Sequence, residues 1–131
     1  MTTAAFSATA VTPGFAGERV AECVVKKVTG GEFSMCPQEK VGDEYAATIV
    51  YTHTSKKPGR AAMVVYNCDG PGGDLKKCGA TRNGVFTAMM YGIKKGQKST
   101  LTVLTTYDTA PVYWAPEPLA PLELVGTPWT K

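Results

Sequence analysis

The chain has 131 residues, a formal net charge of +3 and a 44% share of apolar residues. That length suits one domain of the commonest size, and the composition predicts a packed core rather than disorder. The mild charge argues against a specific nucleic-acid partner. The placement of the four lysine doublets argues the same way, because each lies beside a turn signal instead of along one face. The longest apolar run covers residues 61–65 (AAMVV), far short of the roughly 20 residues needed to span a bilayer, so we expect no membrane-spanning segment.

Residues 1–17 are rich in Thr and Ala and are interrupted by Pro13 and Gly14. They lack the basic region and the continuous apolar stretch of a secretory signal, and we expect an extended N-terminal arm. Residues 18–28 (ERVAECVVKKV) alternate and are β-branched up to a Thr-Gly-Gly turn, which predicts a strand. Residues 32–36 (EFSMC) are its expected hairpin partner, and residues 37–44 are expected to form a loop.

Residues 45–54 (YAATIVYTHT) predict a strand, since Thr, Val, Ile and Tyr dominate and the large side chains share one parity. A Pro-Gly turn separates it from a short apolar run at residues 61–68. Two further strands are expected at residues 85–93 and 100–107, joined by a loop whose glycine suits a left-handed conformation. Helix-forming residues never recur at helical spacing. The sequence therefore predicts a single-domain all-β fold over residues 18–107, a sandwich or small barrel of about six or seven strands.

The character of the chain changes at residue 108. Residues 108–131 contain five prolines, each of which removes a backbone donor from a sheet. The same segment is too apolar for a solvated linker, so we expect a proline-rich extended C-terminal arm that lies across a surface. The side chains expected to contact a partner protein are Tyr113, Trp114, Leu119, Leu122, Leu124 and Trp129.

Four cysteines, Cys23, Cys36, Cys68 and Cys78, form an even set that is compatible with two disulfides. The local pairing, Cys23 with Cys36 and Cys68 with Cys78, is favoured because it closes short loops. Zinc binding would need pairs two to four residues apart, and free buried cysteines are the remaining alternative. Disulfides would indicate an extracellular or virion-type location, while a subunit of an organellar complex is the other location consistent with the chain.

The stretch CDGPGGDLKKCG, residues 68–79, combines glycines, lysines and aspartates, the residue types found in phosphate-binding and calcium-binding loops. A phosphate loop needs glycines that lead directly into a helix, and no helix is expected behind them. A calcium loop needs alternating oxygen ligands and a distal glutamate, which this stretch lacks. The sequence favours a turn closed by a disulfide, and we expect no metal or cofactor.

His53 is the only histidine, at the end of a predicted strand, and a surface position is expected for it. No serine or cysteine stands in a nucleophile-elbow context, so we expect no catalytic residues and no enzymatic activity. The sequence instead favours a structural or assembly subunit of a larger particle, such as a coat, decoration or accessory subunit, whose terminal arms contact neighbouring proteins or further copies. The alternative is a secreted, disulfide-stabilised binding module such as an effector, a lectin-like domain or an inhibitor.

Overall fold

The structure, a computed structural model, describes residues 18, 20–68, 75–80, 84–117 and 119–129. Within these residues the chain is all-β apart from one short helix, and its strands form two antiparallel four-stranded sheets. The all-β, sandwich-like prediction is confirmed. The predicted arm at residues 1–17 lies outside the described residues.

Eight strands are present in the described part of the chain, where six or seven were predicted. In chain order the elements are β1 (Val24–Val28), β2 (Gly31–Val41), β3 (Glu44–His53), β4 (Gly59–Asn67), α1 (Leu75–Ala80), β5 (Gly84–Ile93), β6 (Lys98–Thr105), β7 (Val112–Ala115) and β8 (Glu123–Gly126). The first sheet has the strand order β1-β2-β3-β6, and the second has the order β5-β4-β7-β8. Among the described strands, β1 and β6 are therefore the edges of the first sheet, and β5 and β8 are the edges of the second.

The prediction of a loop over residues 37–44 is wrong. Strand β2 continues through this region, and only Gly42 and Asp43 form the turn before β3. The strand tolerates the proline at position 37. Its carbonyl points to the side of β2 away from β3, where it accepts a hydrogen bond from the Val20 amide at 3.0 Å. The N and the carbonyl of one strand residue point the same way, so the missing donor of Pro37 faces this side and not the ladder with β3.

The prediction of a separate C-terminal arm over residues 108–131 also needs correction. Strand β7 pairs with β4, and β8 pairs with β7, so this segment supplies half of the strands of the second sheet. The physical reason is that its apolar side chains complete the core. Val112 and Ala115 are fully buried, and Trp114 is only 3% exposed.

An aromatic cluster joins the two sheets at the centre of the core. Trp114 from the second sheet stacks on Tyr51 from the first, with ring centroids 4.7 Å apart, and meets Phe33 edge-on at 5.5 Å. Phe33 and Tyr51 are 5.3 Å apart. Such pairs add roughly 0.5–1.5 kcal/mol each beyond the burial of their area. Gly31 is required beside them, since a Cβ at that position would lie 2.2 Å from the Tyr51 ring.

The cysteines pair as Cys23–Cys36 and Cys68–Cys78, with sequence separations of 13 and 10 residues. These two pairs are compatible with an oxidising environment. The second disulfide connects the end of β4 to α1, a helix that the sequence analysis did not predict. With six residues, α1 is the only helix in the described ranges, and it is far too short to cross a membrane.

Two buried threonines give a matched test of hydrogen bonding in this core. Thr105 and Thr109 are both fully buried, but only the Thr105 hydroxyl has a partner, the Tyr107 carbonyl at 2.8 Å. We expect Thr109→Val to raise the free energy of unfolding by about 1 kcal/mol, because it removes an unpaired buried hydroxyl. We expect Thr105→Val to lower it by about the same amount. Urea denaturation of both variants would measure the free energy of unfolding. Equal shifts of the same sign would contradict the conclusion that only the Thr105 hydroxyl has a hydrogen-bond partner.

Candidate functional site

The outer face of the first sheet carries a polar row, as expected for a sheet that meets water on one side. Its side chains include several threonines together with lysine and glutamate. Lys27, Glu32, Thr52 and Lys98 form one row across the four strands, as the register places them opposite one another. The same parity also carries Val25, which is 55% exposed, and the buried residues Gln38, Ala46 and Thr48, so this face is mixed in polarity.

The outer face of the second sheet is apolar. Residues that face the core belong to one parity of each strand, and those on the other parity point outward. The exposed and partly buried members of the outward set are Val85, Thr87, Met89, Tyr91, Arg60, Val64, Tyr66, Tyr113 and Leu124, while Ala62 and Ala115 share this parity and are buried. Arg60 is the one charged residue among them. We define the outward set as the apolar face.

Strand β5 forms the edge of the apolar face. Its sequence, GVFTAMMYGI, has no charged residue and no proline over ten positions. Val85 is 52% exposed, Met89 46% and Tyr91 64%. Its inward residues, such as Met90, pack in the core, so β5 is apolar on both sides. Strands with that pattern are normally buried on both faces.

Two contacts fix side chains on the apolar face. The Arg60 guanidinium carbon lies 5.6 Å from the centre of the Tyr91 ring, within cation–π range. The Tyr66 and Tyr113 rings are 5.2 Å apart. These contacts limit the rotamers of the aromatic side chains. A surface with restricted side chains loses less entropy on binding than a mobile one.

The expected surface position of His53 is wrong. The residue is only 5% exposed, and both ring nitrogens are engaged: Nε2 lies 2.7 Å from the Lys57 carbonyl and Nδ1 lies 2.8 Å from the Tyr51 hydroxyl. A carbonyl can only accept, so Nε2 carries a proton. In the neutral ring Nδ1 then accepts the proton of the Tyr51 hydroxyl, whose oxygen also lies 3.2 Å from the Gly30 carbonyl. Burial raises the pKa of Tyr51 above its ordinary value of 10.0, so this donor keeps its proton at neutral pH.

His53 thereby fixes the loop between β3 and β4. The Gly30 carbonyl accepts from the amides of Thr54 and Ser55 at 2.9 and 3.1 Å, so the same loop is also held from the β1–β2 turn. A cleft of about 400 Å³ opens beside it, with Lys57, Arg60 and Glu117 among its lining residues. Because both nitrogens of His53 contact groups of the chain itself, the geometry gives this histidine a structural role.

No metal centre is found in the part of the chain that the structure describes, since no three residues of the types His, Cys, Asp and Glu come together there. Comparisons with protein-family models, with curated proteins and with solved structures find no match to this chain. The function must therefore be argued from the surface itself.

The residues predicted to contact a partner are dispersed by the fold. Trp114 is buried in the core, and Trp129 is partly buried with its ring 5.8 Å from that of Tyr45. Tyr113 and Leu124 lie opposite each other on the apolar face. Leu119 and Leu122 are exposed, at 99% and 39%. Only part of the predicted set is thus available to another molecule.

Sequence analysis missed the residues of β5 as candidates. The signal was present, because VFTAMM carries apolar residues at successive positions of both parities. A continuous apolar run predicts a strand that is buried on both sides, but it does not show which strand lies at the edge of a sheet. The strand order supplies that information.

Proposed function

We propose that this protein is a non-catalytic structural or assembly subunit that associates with other protein through β5 and the apolar face. The observation that supports this most directly is the composition of β5, which is uncharged and apolar on both sides although it lies at the edge of its sheet among the described strands. Natural proteins normally protect such an edge with charge, proline or a covering element. Exposed apolar surface of this kind marks a site of protein contact.

The proposal moves the contact surface from the C-terminal segment to the second sheet. Residues 112–115 and 123–126 are strands of the second sheet and contribute Tyr113 and Leu124 to the apolar face. The two disulfides fit a subunit that is exported or that belongs to a particle exposed to oxidising conditions, which is the extracellular or virion-type location we propose.

A secreted, disulfide-stabilised binding module is the second candidate. It is favoured by the packing of the C-terminal strands on their own domain, which leaves the described chain with a complete core. That function predicts a monomer whose loops form the working surface. The oligomeric state in solution therefore separates the two candidates.

We expect the wild-type protein to have a mass above that of the 13.9 kDa chain in light scattering at micromolar concentration. The double variant Val85→Lys, Met89→Lys is expected to associate at least about 100-fold more weakly. Each substitution replaces apolar burial of about 1.5–3 kcal/mol by a charge, and every 1.4 kcal/mol is about tenfold in affinity.

Val25→Lys provides a matched control. Val25 is 55% exposed on edge strand β1 of the other sheet, close to the 52% of Val85. The control is expected to associate like the wild type. A monomeric wild-type protein at 100 µM or so would overturn the proposal and favour the binding module.

A further inference from the structure

We propose that the Cys23–Cys36 disulfide is a site of thiol–disulfide exchange, at which a dithiol reductant opens the bond while the domain stays folded and Cys68–Cys78 stays closed. The bond joins the segment before β1 to β2, at the edge of the first sheet among the described strands. Its opening releases that segment from β2. This site is independent of the association through β5.

The two disulfides differ in burial. Cys68 and Cys78 are only 1% and 6% exposed. Cys23 and Cys36 are both partly exposed, and they lie on the outer face of the first sheet, because residues 33 and 35 on the other parity of β2 face the core. An attacking thiolate needs access to a sulfur atom, so exposed disulfides are the more easily reduced ones. The Cys23–Cys36 bond is therefore the one that a reductant reaches first.

The backbone beside Cys23 is irregular. The register of β1 with β2 places Cys23 opposite Cys36. The Val20 amide donates to the Pro37 carbonyl, so three residue steps in this segment match one step in β2. The two extra residues, 21 and 22, are both exposed. Extra residues of this kind interrupt the ladder and bend the strand, and here they leave one side of the disulfide open to an approaching thiol.

Ser34 distinguishes the two sulfur atoms. Its hydroxyl oxygen lies 3.5 Å from Cys36 Sγ. A disulfide sulfur carries no proton, so the Ser34 hydroxyl is the donor of this hydrogen bond. A donor beside a thiolate stabilises its charged form, and a thiolate of lower basicity leaves faster. The geometry therefore makes Cys36 the leaving sulfur and Cys23 the sulfur that is attacked.

The exchange transfers two electrons. A thiolate of the reductant attacks Cys23 Sγ and forms a new sulfur–sulfur bond, and the old bond breaks with its electron pair on Cys36, whose thiolate then takes a proton from water. The second thiolate of the reductant attacks its own sulfur in the mixed disulfide and expels the Cys23 thiolate, which is protonated in turn. The reductant is oxidised to a disulfide, and the protein bond is reduced to two thiols.

The segment that the bond holds has few backbone contacts with β2. The Val20 amide donates to the Pro37 carbonyl at 3.0 Å, and the Glu39 amide donates to the Glu18 carbonyl at 2.9 Å. Strand β1 itself pairs with β2 from residue 24 to residue 28 and does not depend on the disulfide for its register. Opening the bond therefore loosens the segment before β1 and leaves both sheets in place.

Timed reduction of the native protein tests which disulfide opens first. The full chain, with both disulfides formed and without denaturant, is exposed to dithiothreitol at neutral pH, and free thiols are blocked with iodoacetamide at each time point. Peptide mass mapping then measures the alkylation of each cysteine. We expect Cys23 and Cys36 to be alkylated at least about tenfold faster than Cys68 and Cys78. Equal rates, or faster opening of Cys68–Cys78, would overturn the proposal.

Ser34→Ala tests the identity of the leaving sulfur, and Thr102→Ala is its control. Thr102 is also partly exposed and lies in the same row as Cys36, but Thr48 stands between them, so the two are about 10 Å apart. Ser34→Ala is expected to slow the opening about threefold, because a hydrogen bond to the departing charge is lost. The control is expected to keep the wild-type rate. With glutathione, a monothiol, we expect the mixed disulfide on Cys23; glutathione on Cys36, or an unchanged rate in Ser34→Ala, would contradict this assignment.

Amide exchange measures the release of the segment. In the double variant Cys23→Ala, Cys36→Ala, the amides of Val20 and Glu39 are expected to exchange at least about tenfold faster than in the wild type, because the cross-link no longer limits local opening. Amides of the β2–β3 ladder are expected to keep their rates, and the near-UV circular dichroism is expected to stay native. Unchanged exchange at both amides would overturn the release, and a lost near-UV signal would overturn the claim that the domain stays folded.

Discussion

A chain truncated after Thr109 is expected to lose its cooperative unfolding transition altogether. The truncation removes β7 and β8, and with them Trp114, Val112 and Ala115 from the core. Loss of a buried tryptophan alone costs roughly 3–5 kcal/mol, while a whole domain is stable by only about 5–15 kcal/mol. Strand β4 would also lose its pairing partner along residues 62–65. Near-UV circular dichroism and urea denaturation would show the loss.

Two point variants calibrate this result in the full-length chain. Trp114→Ala is expected to lower the free energy of unfolding by about 3–5 kcal/mol, because it removes the ring that stacks on Tyr51 and leaves a cavity in the core. Leu119→Ala is expected to change it by less than about 0.5 kcal/mol, since this side chain is 99% exposed. A truncated chain that unfolds cooperatively near the wild-type midpoint would show that the C-terminal segment is an arm after all.

Replacing all four cysteines by alanine is expected to lower the free energy of unfolding by roughly 5–6 kcal/mol. The chain-entropy model gives about 3 kcal/mol for a loop of 13 residues and slightly less for one of 10, the separations of the two disulfides. This sum approaches the whole stability of an ordinary domain. The variant should therefore be largely unfolded at physiological temperature, as thermal denaturation followed by circular dichroism would show.

Each disulfide can be removed alone as a control. Cys23 and Cys36 join the segment before β1 to β2, whereas Cys68 and Cys78 join the end of β4 to α1, so the two bonds constrain different parts of the chain. Removal of either pair is expected to cost about 3 kcal/mol, and the two effects should add because the sites share no contact. If the two single costs summed to well above the cost of the four-cysteine variant, one disulfide would stabilise the native state only when the other is intact.

Most strand positions could be predicted from the sequence. Residues 45–54, 61–68, 85–93 and 100–107 were predicted as strands, and each overlaps an observed one. Alternation and β-branched residues report local burial directly, which is why these segments could be located. The number of strands was underestimated where a proline was taken to end or prevent a strand.

The C-terminal strands show why that inference fails. Pro111 and Pro116 flank β7, and Pro121 and Pro128 lie on either side of β8, so no proline stands inside either strand. The prolines delimit strands instead of preventing them. Composition correctly indicated that the segment buries apolar surface, but it does not distinguish burial on the same chain from burial on another. That choice depends on the strand order, which a single sequence does not encode locally.

The candidate site was harder to predict from the sequence, because it too depends on contacts between segments that are distant in the chain. His53 was expected at the surface because it ends a strand, yet the carbonyl of Lys57 and the hydroxyl of Tyr51 satisfy both of its nitrogens inside the fold. The exposure of β5 depends on which strands flank it. Neither the partners of a buried polar group nor the edge of a sheet can be read from periodicity.

The late position of β7 and β8 has a consequence for synthesis. Strand β4 lies between β5 and β7, so one of its two neighbours is translated about 50 residues after it, and domains generally fold as their chains emerge. The nascent polypeptide on the ribosome must therefore carry β4 and β5 with an open core until residue 126 has been made. During that interval the apolar residues of β4 and β5 would lack the core that Val112 and Trp114 complete.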